Sequence, residues 1–133
     1  MASIRKTLLT QAPVSAVWDA VRDVGALHTR LVPGFVLDTV LEDGVRRVTF
    51  ANGAVVREPI VTIDEPNRRL VWTAEGGRTT HYNAAVEVAH EGRAARVIWT
   101  VDLLPDELAG AIDTAMAAGI AAMQAALDRL AQS

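Results

Sequence analysis

The chain has 133 residues, half of them hydrophobic, with few aromatics, no cysteine and a formal net charge of −3. That length holds one domain, and so apolar a composition excludes a disordered chain. The missing cysteines exclude disulfides, thiolate metal sites, iron–sulfur clusters and cysteine nucleophiles, and the acidic balance argues against nucleic acid as a partner. Three scattered histidines, His28, His81 and His90, do not suggest a metal centre, so neither metal nor cofactor is expected. The first residues, MASIRKTLLTQAP, have too short an apolar run for a signal peptide. Leu108 to Leu127 is weakly polar but carries Asp113 and Gln124 at helical periodicity, so no membrane span is expected and a cytoplasmic protein is the default.

Thr7 to Gln11 closes a first strand, and Ala12-Pro13 starts a short helix to about Asp23, with Val14, Val17, Trp18 and Val21 recurring at threes and fours. Gly25 breaks it, and Ala26 to Leu31 reads as a second short helix ended by Pro33-Gly34. The period then becomes two. Strands are expected over Phe35–Leu41, Val45–Ala51, Ala54–Asp64, Arg68–Ala74, Thr79–Ala89 and Arg93–Leu104, divided by turn signals such as Asp43-Gly44, Asn52-Gly53 and Gly76-Gly77. Pro105-Asp106-Glu107 opens a final helix, acidic in its first turn, that runs to about Ala131. Its apolar stripe is Leu108, Ile112, Met116, Ile120, Met123, Leu127 and Leu130.

This order predicts an α+β fold: one seven-stranded antiparallel sheet, two short helices between its first two strands, and one long final helix. A sheet that size twists and curls, and only the last helix is long enough to close its concave face. Met116 and Met123 with Gly119 between them, and alanine wherever the stripe widens, would fill such a groove incompletely and leave room near Gly119. Two readings stand: a core packed by methionine and alanine, or a pocket for an apolar small molecule.

Alternation places Tyr82, Ala84, Val86 and Val88 on one face of their strand and His81 on the other, which reads as solvent. Trp72 and Trp99 also sit among aliphatic positions, so Glu58, Trp72, Tyr82, Ala84, Trp99, Ile112, Met116, Gly119, Ile120 and Met123 are candidates for contact with a ligand. A carboxylate inside an apolar cavity needs a partner or takes up a proton, and Arg47 is the candidate partner of Glu58. A surface ion pair and a buried structural tyrosine are the plainer alternatives. If the protein catalyses a reaction, Glu58, Tyr82 and Arg47 are the weak catalytic candidates; no separate nucleophile and base are visible.

Several segments match a known family pattern. They are Ala12-Pro13 with Val17-Trp18, Leu31-Val32-Pro33-Gly34-Phe35, Gly44-Val45-Arg46-Arg47, Asn52-Gly53, Glu58 and Ile63-Asp64. His81-Tyr82-Asn83, Trp99, and Asp102 through Leu108 complete the match. On these residues the whole chain resembles the START-like, helix-grip superfamily, which includes birch pollen allergens, plant abscisic-acid receptors and bacterial polyketide cyclase/dehydrase-like proteins. It looks most like the small actinobacterial-type members. The resemblance implies a cavity between sheet and C-terminal helix, with positions matching Glu58, Trp72, Tyr82 and Ala84 facing it. No lysine follows Lys6, and short turns stand where the hormone receptors have gate loops, so hormone-type recognition is not supported. The leading expectation is binding, transport or sensing of a hydrophobic molecule of lipid, polyketide or isoprenoid type. A cyclase/aromatase-like enzyme is the second reading. The third is a protein-interaction module, monomer or homodimer, docking through Ala111, Ala118, Ala122 and Ala125 on the back of the last helix.

Overall fold

The computed structural model describes residues 1–132. Its strands are β1 (Ala2–Thr10), β2 (Val36–Glu42), β3 (Val45–Phe50), β4 (Val55–Asp64), β5 (Arg69–Thr73), β6 (His81–Glu91) and β7 (Ala94–Leu104). They form one antiparallel sheet in the order β1-β7-β6-β5-β4-β3-β2, so successive hairpins run from β2 to β7 and β1 closes on the last strand. The hairpin turns follow local chemistry. Asp43 and Gly44 both have positive φ, as a two-residue turn that matches strand twist requires. At the next turn Gly53 takes φ +89°, and the Ala54 N–H donates to Asn52 Oδ1 at 2.9 Å.

Between β1 and β2 lies α1 (Val14–Arg22), whose Val14, Val17, Trp18 and Val21 are buried. The Trp18 indole N–H donates to Glu65 in the β4–β5 turn at 3.0 Å, so the ring packs in the core while its polar edge holds a distant hairpin. The second short helix expected over Ala26–Leu31 is present, as a 3₁₀ turn, Val24–Ala26, running into one π turn, Leu27–Leu31. The stretch between Gly25 and Pro33 is too short to complete an α-helix and leave the residue before proline extended. Arg30 secures it through Asp19 at 2.7 Å and Asp23 at 3.0 Å.

After β7, a 3₁₀ turn at Asp106–Leu108 leads into α2 (Ala109–Ala131). By length and composition the helical run Asp106–Ala131 could cross a membrane, but here it lies across the sheet with Met116, Gly119, Met123, Ala126 and Leu127 buried. Polar side chains pin it along β1. Lys6 pairs with Asp113 at 2.6 Å, Thr10 donates to Asp128 at 2.9 Å, and Gln124 donates to the Leu9 carbonyl at 2.7 Å. The apolar stripe read from the sequence is therefore the seat of the helix, with Leu108, Ile112, Ile120 and Leu130 half-buried at its margins.

Leu127 is fully buried under α2. Leu127→Ala should lower the unfolding free energy by ~2–5 kcal/mol, measured by urea denaturation. Ala121→Ser on the exposed side of the same helix should stay within ~0.5 kcal/mol of the parent.

Candidate ligand cavity

The sheet does not close fully on α2, because the helix is pinned along β1 while the other strands curve away. A cavity of about 580 Å³ remains between them. Its inner wall is apolar, with Leu27, Leu31 and Val32 from the α1–β2 connection, Val56, Leu70 and Val86 from the sheet, and Phe35 stacked edge-on to Phe50 at 5.4 Å. Exposed residues mark the mouth. Ala111, Thr114, Ala115 and Ala118 of α2 stand on one side, and Ala51, Asn52, Ala54, Gly77 and Arg78 of two hairpin ends on the other.

Two charged side chains sit in this wall. On β3, Arg46 alternates inward with buried Val48, and on β4, Glu58 lies opposite it in the strand register. Arg46 is 2% exposed and Glu58 5% exposed. The Arg46 Nε–H donates to Glu58 Oε1 at 2.8 Å, its Nη1 reaches the Val24 carbonyl at 3.4 Å, and the guanidinium lies 4.9 Å over the Trp72 ring. Burial raises the Glu58 pKa, while the charge and hydrogen bond of Arg46 pull it down; burial is the larger effect and the net direction is upward. The Trp72 indole N–H also favours the Glu58 charge, but it is not aligned as a hydrogen bond of ordinary geometry. Burial also raises the Tyr82 pKa, with a smaller upward push from Glu58, so its hydroxyl stays protonated across the physiological range.

Over residues 1–133 the chain matches the family model described as polyketide cyclase / dehydrase and lipid transport. The chain belongs to that family. Solved structures share the fold of this chain. A solution structure from Thermobifida fusca is 29% identical with TM-score 0.78, covering 98% of this chain and 95% of that one. The protein XoxI from Bacillus cereus is 17% identical with TM-score 0.84 and 96% coverage of both chains. Norcoclaurine synthase from Thalictrum flavum, solved with dopamine and hydroxybenzaldehyde, is 21% identical with TM-score 0.73, covering 98% of this chain and 86% of that one. None of the curated proteins matches the sequence.

Within this family member, the candidate residues from the sequence divide into two groups. Glu58, Trp72, Tyr82 and Trp99 line the cavity from the sheet, and Ile112, Met116 and Met123 line it from α2. Ala84, Gly119 and Ile120 do not. Ala84 is buried beneath its larger neighbours, and Ile120 packs on the core at the margin of the helix. Gly119 is a close approach instead of a gap: a Cβ there would lie 2.9 Å from the Trp99 ring and 3.1 Å from Phe35. The space lies further along α2, at Ala111, Ala115 and Ala118.

Arg47 is the other correction. It pairs in register with Arg57 on the exposed face, where Arg57 meets Glu75 at 2.6 Å, and the partner of Glu58 is Arg46. Alternation carried the missing signal, since Arg46 shares its parity with Val48 and Phe50 while Arg47 does not. Ala111 and Ala118, assigned to an outer docking face, belong to the cavity mouth; Ala122 is half-buried and Ala125 is exposed. The Tyr82 hydroxyl has no hydrogen-bond partner among the described residues.

Arg46→Met should destabilise the protein by ~3–5 kcal/mol, because it strands a buried carboxylate, and adding Glu58→Leu should recover most of the loss; urea unfolding of both variants measures this. A raised folded-state pKa makes Glu58 stabilise most below its ordinary value of 4.5 and lose that contribution as pH rises through the folded value. The melting-temperature difference between the parent and Glu58→Gln should therefore shift against the parent from pH 4.5 upward. A shift in its favour would show that Arg46, not burial, dominates. Gly119→Ala must push Trp99 or the helix aside, costing ~1–3 kcal/mol and changing the tryptophan fluorescence.

Proposed function

We propose that the protein encloses one hydrophobic small molecule, of lipid, polyketide or isoprenoid type, in the cavity between the sheet and α2, and carries or senses it. One observation carries this reading. The wall is already formed, almost wholly apolar and open at one end, at a volume typical of small-molecule sites. A domain packed only for stability would lose free energy by leaving such a space unfilled. The family description, which includes lipid transport, supports the same class of ligand.

A second reading, of a cyclase-like enzyme acting on the enclosed molecule, has a specific motive. Glu58 and Tyr82 bring a carboxyl of raised pKa and a protonated phenol to the wall of an apolar cavity, where proton transfer to an enclosed molecule is within their chemistry. In that case Glu58→Gln and Tyr82→Phe would stop turnover of a cyclisable substrate while the cavity still accepted an apolar probe.

The binding reading is tested with the uncharged fluorescent probe N-phenylnaphthylamine. The expected result is saturable binding of one probe per chain, weakened at least ~tenfold by Ala115→Trp, which places a ring in the mouth. Failure of the probe to bind, or equal binding by the Ala115→Trp protein, would overturn it.

A further inference from the structure

The polar atoms of the cavity are arranged in one line. Arg46 faces Glu58 across β3 and β4. The bridge between Arg57 and Glu75 sets Ala74 beside Glu58, and the pairing of Thr73 with Asn83 sets Tyr82 beside Ala74. Arg46, Glu58, Ala74 and Tyr82 thus form a single transverse row across four strands, and all four line the cavity. Ala74 is the smallest side chain in the row, so Tyr82 and the ion pair can share one space above it. Their charges are mutually felt, since both Glu58 and Arg46 act on the Tyr82 hydroxyl.

The row is not internally saturated. Arg46 donates through Nε and Nη1, and among the described residues no acceptor meets Nη2. The Tyr82 hydroxyl has no partner either. Neither atom is among the sealed polar atoms of the core, so both open onto the cavity. Glu58, the acceptor of the row, is held by Arg46 through Oε1 alone. What remains unspent is donor capacity on one guanidinium nitrogen and one phenol, beside one acceptor oxygen, Glu58 Oε2.

Charge then selects among possible partners. The row is a balanced pair, one cation and one anion, in an apolar wall. A carboxylate placed on Arg46 would sit beside Glu58 and leave a net buried negative charge; an ammonium placed on Glu58 would sit beside Arg46 and leave a net positive one. Either is costly where water is excluded. A neutral oxygen acceptor takes both donors and leaves the balance intact.

We infer that the ligand carries a neutral oxygen, carbonyl or hydroxyl, on an otherwise apolar skeleton, received by Arg46 Nη2 and the Tyr82 hydroxyl above Ala74. This rests on the binding reading and adds to it the chemistry of the ligand's polar end. The apolar remainder of the molecule extends from the row toward the mouth at Ala111, Ala115 and Ala118, along a wall of α2 with no charged side chain.

Four naphthalenes of one shape test it: methyl naphthyl ketone, ethylnaphthalene, naphthoate and naphthylethylamine. Their dissociation constants are measured by tryptophan quenching or displacement of N-phenylnaphthylamine. The ketone should bind at least ~tenfold tighter than either ion. The ratio of ketone to ethylnaphthalene affinity should fall by roughly threefold in Tyr82→Phe and by ~tenfold or more in Arg46→Met/Glu58→Leu, in which no lone charge is left buried. Equal binding of the ketone and an ion, or a ratio unmoved in the Tyr82→Phe protein, would overturn the inference. If ethylnaphthalene binds and the ratio does not move, only the polar end is wrong. If no probe binds, the cavity is not a binding site and both readings fall.

Discussion

The structure depends on how closely α2 can approach the sheet. A curled antiparallel sheet must cover its concave face, and one helix has to do it. Gly119 lets the helix backbone rest against the Trp99 ring and Phe35, a contact that any side chain would prevent. Lys6, Thr10 and the Leu9 carbonyl then hold the helix along the first strand through Asp113, Asp128 and Gln124. Because the contact and the pins all lie toward one side, the other side of the helix stands away from the curving sheet. The cavity follows from that asymmetry. Alanines along the standing edge keep it wide, where leucines would have closed it.

Within this apolar enclosure the Arg46–Glu58 pair is costly to bury, and hydrocarbon of the same volume would pack as well or better. It is held by register, by the Val24 carbonyl and by the Trp72 face, not by chance contact. Such a pair does little for the fold that leucine and methionine could not do. Its value lies in giving the cavity one polar end with a defined direction, and so a distinction between the two ends of whatever enters.

Much of this was legible in the sequence. Period two over β2 to β7, the glycine turns and the apolar stripe of the last helix determine the architecture with few alternatives. The inward placement of Trp72 and Tyr82 follows from alternation; both faces of the Glu58 strand are apolar, so alternation alone does not choose its side, and the family resemblance favours the inward one. Two features resisted. The choice between Arg46 and Arg47 rests on a single step of parity in a six-residue strand, and an arginine among inward positions runs against the usual rule that charges face water. The role of Gly119 depends on which ring of a distant strand meets it, information that helical periodicity does not contain. A glycine on a buried stripe reads equally as a void or as a close approach, and only the position of Trp99 separates them.

The pairing of β1 with β7 joins Ala2 to Leu103, so the two ends of the sheet's sequence are neighbours in space. No stretch of chain shorter than almost the whole domain can therefore assemble the floor on which α2 rests. Long-range pairings of this kind close large loops before contacts reward them, which slows folding relative to helical domains of similar size. Until β1 and β7 meet, the hairpins β2 to β7 present Trp72, Trp99 and two open edges to water. The protein that encloses an apolar guest must first pass through a state in which its own apolar interior is the exposed surface, and the speed of that last closure sets how long neighbouring chains can compete for it.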